Sequence, residues 1–155
     1  MSEHSAGLLL WRSADAGLEV WIAHMGGPYW ARKRERAWSI PKGLVVADEE
    51  LLAVAQREFA EEMGVPAPTR SYEPLGEYRY ASGKLLTVFH ADGAGFDPGE
   101  IHSNLFELEW PPRSGRMQSF PEVDRAEWVP LDGARELLVA AQVPMLDDLT
   151  ARLAG

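Results

Sequence analysis

The chain is expected to fold as a single mixed-sheet α/β (α+β) layered domain. Three observations carry that expectation. Its 155 residues suit one domain of roughly 100–200 residues. Short apolar segments bounded by Gly, Pro, Asn, Asp and Ser recur along most of the chain and read as strands. One long amphipathic helical pattern falls in the middle and two more at the end, without the regular βαβ alternation of a parallel sheet.

Residues 6–11 and 18–23 are apolar and β-compatible, and the small, polar run 13–17 between them predicts a hairpin. Gly26-Gly27-Pro28 breaks the chain, and residues 29–37 form a loop holding Arg32, Lys33, Arg34 and Arg36. Trp38-Ser39-Ile40-Pro41 reads as a short strand stopped by proline. A helix is predicted over 48–63, with Asp48 as N-cap and Gly64 in the left-handed position beyond its end. Leu52, Ala55, Phe59 and Met63 give it a core-facing stripe. Strands follow at 75–80, 85–91 and 105–110. Residues 113–121 read as a polar loop, Trp128-Val129 as a short strand, and 132–141 and 145–153 as helices.

Composition excludes several classes. Hydrophobic residues make up 46% and charged residues 25%, as in ordinary globular chains. No cysteine is present, so disulfides, thiolate zinc sites and a cysteine nucleophile are all ruled out. A net charge of −9 argues against an extended nucleic-acid footprint. No apolar run approaches the roughly 20 residues a spanning helix needs. The first residues also lack the basic region of a secretory signal, so the cytoplasm is the expected location.

The chemistry concentrates in Arg57-Glu58-Phe59-Ala60-Glu61-Glu62-Met63-Gly64. Glu58, Glu61 and Glu62 fall at i, i+3 and i+4 and share one helix face. Carboxylates this close raise one another's pKa values. Such a face is either solvated or built for a hard divalent cation, which takes oxygen ligands. Wider spacing favours the second reading. Five residues separate Gly43 from Glu49, and seven separate Glu49 from Arg57. The whole pattern from Gly43 to Val65 resembles the Nudix box, G-x5-E-x7-R-E-U-x-E-E-x-G-U with U apolar, at every position. At ordinary residue frequencies a chance match arises about once in 10⁹ starts.

The resemblance implies a Nudix fold: a mixed sheet sandwiched between helices, with the box as loop–helix–loop. It implies a metal-dependent hydrolase of a nucleoside diphosphate linked to another group, using Mg²⁺ or Mn²⁺. By resemblance, Glu58, Glu61, Glu62 and the Lys42 carbonyl hold the metal, Arg57 orients the cluster, and Glu49 fixes the loop or a metal-bound water. Gly43 is expected to permit a tight turn and Gly64 to end the helix. A general base is also required. Glu58 and, by family resemblance, a glutamate outside the box are candidates, and Glu122 is the first choice, with Glu107 and Glu109 behind it. Lys42, Lys33 and Arg32 are candidate phosphate clamps, and Trp30 and Tyr80 candidate stacking partners for a base.

Trp38-Ser39-Ile40-Pro41-Lys42-Gly43 resembles the entry to the box in diadenosine and diphosphoinositol polyphosphate hydrolases. A dinucleoside polyphosphate such as diadenosine tetraphosphate is therefore the leading substrate class. The expected partner is a small nucleotide or polyphosphate, with no membrane, no extended nucleic acid, and a homodimer left open. The alternatives are a nucleotide-binding regulatory module and a hydrolase of dNTP, ADP-ribose or a capped RNA end. An isopentenyl diphosphate isomerase of this fold would, by resemblance, need the cysteine this chain lacks.

Overall fold

The computed structural model describes residues 3–155. Its strands are β1 (His4–Ala14), β2 (Gly17–Met25), β3 (Trp38–Ser39), β4 (Lys42–Leu44), β5 (Glu73–Arg79), β6 (Leu85–Asp92), β7 (Leu105–Glu109), β8 (Met117–Pro121) and β9 (Val123–Pro130). Its helices are α1 (Leu51–Met63), α2 (Leu131–Leu137) and α3 (Pro144–Ala154). The main sheet runs β3-β2-β1-β6-β5, with β4 added to β1 and β9 to β2. The pairing of β1 with β6 is parallel and the others are antiparallel, so the sheet is mixed.

The continuous apolar run in β1 has a direct cause. Leu9 faces one core with Val20 and Ile22, closed by α2 and α3, while Leu8 and Leu10 face the other with Trp21 and Phe59, closed by α1. A strand buried on both faces needs no polar alternation. The expected layers are present: a mixed sheet between helices.

Four local expectations change. α1 begins at Leu51, and Asp48 is not its N-cap; Glu50 takes that place without a side-chain cap. The Glu49 carboxylate instead accepts the Val46 N–H at 2.9 Å and pairs with Arg57, which holds 46–49 as a separate turn. Residues 117–121 are strand, not loop: β8 pairs with β7 from Leu105↔Pro121 to Glu109↔Met117, with Phe106 packed on Phe120. This two-stranded ribbon stands outside the main sheet. The last strand is longer than Trp128-Val129 suggests because all of β9 is templated by β2. Finally, α2 stops at Leu137, where Leu138 turns extended and bridges to Trp38, and a 3-10 turn at Ala140–Gln142 leads into α3. No helix among the described residues is long and apolar enough to cross a membrane.

Candidate active site

Helix α1 packs Val54, Ala55, Phe59 and Met63 into the core, with Leu52 half-buried at its margin. That fixes the acidic face beside the stripe over the open end of β1 and β4. There, Glu58, Glu61 and Glu62 line a cleft of about 620 Å³ together with Ser39, Lys42, Gly43, Tyr80 and Glu122.

Glu62 is the most enclosed of the three, 7% exposed. Its carboxylate accepts the Lys42 N–H at 3.3 Å. Burial pushes its pKa up to about 8; the Lys42 charge and N–H oppose this, and the charges of Glu122 and Glu58 add to it. Burial also raises the Glu58 carboxyl, and the charge of the neighbouring Glu61 raises it further. Arg57 pulls the other way from 3.5 Å. The principal partner of Arg57 is Glu49, whose carboxyl it holds below the ordinary range; Glu61 is farther, at 3.9 Å. Arg57 thus ties the loop before α1 to the glutamates on it.

Gly43 does not supply a tight turn. It lies in β4 opposite Ala6, and a Cβ there would overlap the Glu58 carboxyl. Glycine is needed for the close approach of that carboxyl to the strand. Gly64 does occupy the left-handed position expected of it, with φ 77°.

Among the described residues no group of three His, Cys, Asp or Glu side chains is placed to hold a metal ion by itself. The donor set still fits a hard divalent cation. Its oxygens lie on one side of an open cleft, and the buried Glu62 carboxylate lacks a counter-charge equal to its desolvation. Mg²⁺ suits such a half-shell, because waters and substrate phosphates complete its coordination.

Glu122 comes from the junction of β8 and β9, far from α1 in sequence, yet it lines the same cleft. Its backbone is fixed on both sides: its N–H donates to Asn104 O and its carbonyl accepts from Gly26, each at 2.9 Å. Trp30 lines an adjoining recess of about 120 Å³ with Met25, Gly26, Phe106 and Glu122. Arg32 and Lys33 stand outside the walls of both; Lys33 lies 5.3 Å over the Trp30 ring. Arg36 binds the carbonyls of Arg135 and Leu138 and anchors its loop. Glu107 and Glu109 are exposed on β7 and line neither space. Lys84, Phe106 and Gln142 had no local sequence signal, since each reaches the site through strand pairing or a distant turn.

A mixed sheet between helices, with a glutamate-rich helix turned towards its open end, defines the loop–helix–loop hydrolase class. The NUDIX domain model matches residues 2–149, and the chain belongs to that family. The complete box makes it a pyrophosphohydrolase, and Nudix hydrolases generally use divalent metal ions. No curated protein matches the chain by sequence. Among solved structures it resembles a binary complex of Caenorhabditis elegans Ap4A hydrolase, at 20% identity and TM-score 0.69 over 97% of this chain and 98% of that one. It also resembles the NUDIX domain of Shewanella oneidensis NrtR complexed with ADP ribose, at 19% identity and TM-score 0.63 over 99% and 89%. A third likeness is the MutT protein from Methanosarcina mazei Go1, at 20% identity and TM-score 0.62 over 99% and 96%. At these identities the likenesses speak for the fold.

Proposed function

We propose that the chain hydrolyses a nucleoside diphosphate linked to another group, with a dinucleoside polyphosphate such as diadenosine tetraphosphate as the leading substrate class. One observation carries this reading: the three box glutamates share a cleft with Glu122, and an aromatic recess opens beside them. The similarity of fold to the C. elegans Ap4A hydrolase along nearly its whole length supports the substrate class.

Glu58, Glu61, Glu62 and the Lys42 carbonyl would hold Mg²⁺ or Mn²⁺, which when bound neutralises phosphate charge and lowers the pKa of the attacking water. Glu122 acts as general base. It is exposed at the cleft wall and free to take a proton from that water, whereas Glu58 is half-buried, 3.5 Å from Arg57 and pressed against Gly43. The Lys42 ammonium attracts phosphate oxygens. Trp30 and Phe106 present aromatic surface to a nucleobase. The chain works as one Nudix domain, and its lack of cysteine suits a reducing compartment such as the cytoplasm.

The test is a panel of dinucleoside polyphosphates, dNTPs and ADP-ribose with Mg²⁺ or Mn²⁺ in oxygen-18 water. Cation-dependent turnover, greatest on the dinucleoside polyphosphates and with label in one product, is expected. Silence across the panel would overturn the activity. Preference for another nucleotide would overturn the substrate class alone.

A further inference from the structure

Gln142 sits in the 3-10 turn between α2 and α3 and is completely buried. A buried amide must satisfy one carbonyl and two N–H groups. The Gln142 carbonyl accepts the Ile40 N–H at 3.0 Å. A backbone N–H only donates, so this bond fixes which way round the amide lies. Its NH₂ then donates to Ser39 Oγ at 2.9 Å and to Tyr80 Oη at 2.7 Å. Ser39 passes its own hydrogen to the Ile40 carbonyl at 2.8 Å. One hydrogen is left over. An amide NH₂ has no lone pair to offer, so the Tyr80 phenol cannot donate back to it. Among the described residues no other group receives that hydrogen, and Tyr80 lines the cleft.

We propose that Gln142 is a positioning residue: by donating to Tyr80 it reserves the phenolic hydrogen for a phosphoryl oxygen of the substrate, in a subsite shared with Lys84. Lys84 and Lys42 are the two cationic side chains lining the cleft. Lys84 lies 3.1 Å from Glu3, and both side chains are about half exposed, at 55% and 52%. A pair that exposed contributes little and exchanges readily for phosphate. The strand order gives the subsite its reach. Lys42 is on β4, which joins β1 on one side, and Lys84 precedes β6, which joins it on the other. Those two strands stand two spacings apart, about 9.6 Å, so the two cations suit phosphates spaced along one chain rather than a single phosphate. The assignment rests on the polyphosphate reading of the cleft and adds a second phosphate subsite at the β5–β6 turn.

Calorimetric binding of inorganic tripolyphosphate with Mg²⁺ tests it, beside kcat and KM for diadenosine tetraphosphate. Tyr80→Phe should weaken binding about tenfold, the loss of one hydrogen bond to a charged acceptor, and raise KM more than it lowers kcat. Gln142→Glu offers the phenol an acceptor and draws its hydrogen out of the cleft. It should match Tyr80→Phe, and the double variant should lose nothing further. Gln142→Met removes the amide without supplying an acceptor. It should lower the melting temperature, because Ile40 N–H loses its partner, yet bind tripolyphosphate better than Gln142→Glu. Wild-type binding by Tyr80→Phe, or weaker binding by Gln142→Met than by Gln142→Glu, overturns the assignment. Should Gln142→Glu fail to fold, Tyr80→Phe and Gln142→Met decide it: weakened binding by the first with a smaller but measurable loss by the second supports it, and wild-type binding by either overturns it. If the expected binding pattern appears without hydrolysis of diadenosine tetraphosphate, the substrate reading fails and this inference stands. Hydrolysis with tripolyphosphate binding indifferent to Tyr80 is the reverse.

Discussion

Replacing Glu62 by Gln separates the stability of the acidic cleft from its chemistry. Burial holds the Glu62 carboxyl at about 8 in the folded chain, against an ordinary value of 4.5. The folded state therefore binds this proton more tightly than the unfolded state does. Without cations, the stability tied to that proton is fully present below about pH 4.5 and is lost as pH rises to about 8. A tenfold difference in proton affinity is about 1.4 kcal/mol, so the loss approaches about 5 kcal/mol at high pH and about 3 kcal/mol at pH 7. Glutamine keeps the shape, still accepts the Lys42 N–H and never ionises. Urea unfolding in chelator between pH 5 and pH 9 should show Glu62→Gln increasingly more stable than the wild-type chain as pH rises. Added Mg²⁺ should narrow the gap by stabilising the wild type alone. Turnover of the same variant should fall at least hundredfold, because in the proposed site the lost charge would hold the cation. Stability curves that stay parallel across this pH range would refute the burial argument, and full activity would refute the metal-site assignment.

Glu122→Gln should lower kcat by about 10²–10⁴-fold, the range for a lost general base, with little change in KM; an unchanged kcat would move the base to Glu58. Gly43→Ala places a methyl group against the Glu58 carboxyl and should cost about 10²-fold in kcat/KM by displacing it, while circular dichroism stays that of the folded chain; normal kinetics would mean that β4 yields instead. Trp30→Ala and Phe106→Ala should each raise KM for a base-bearing substrate several-fold and leave tripolyphosphate affinity unchanged. An equal loss for both ligands would remove the recess from base recognition.

Certain features depend only on neighbours in sequence and are legible there. The i, i+3, i+4 spacing sets Glu58, Glu61 and Glu62 on one face of α1, and Gly64 ends the helix because a left-handed residue is needed there. The hairpin of β1 and β2 follows from local apolar runs around a turn. Asp48 is not the N-cap because a competing side-chain contact, Glu49 with Arg57 and Val46, takes the turn it would cap. The strand β8 carries no local signal because it is short, largely exposed and without alternation, and it exists only by pairing with β7.

The sequence by itself determined the acidic helix, the spacing of its box and the layered fold, since helical periodicity and turn chemistry act over a few residues. Only the tertiary structure decided that Glu62 is buried, that Gly43 makes room for Glu58, that Arg32 and Lys33 stand clear of the cleft, and that Gln142 orients Tyr80 across 62 positions. Those outcomes depend on desolvation and on contacts made by strand pairing across the sheet, which no local pattern encodes.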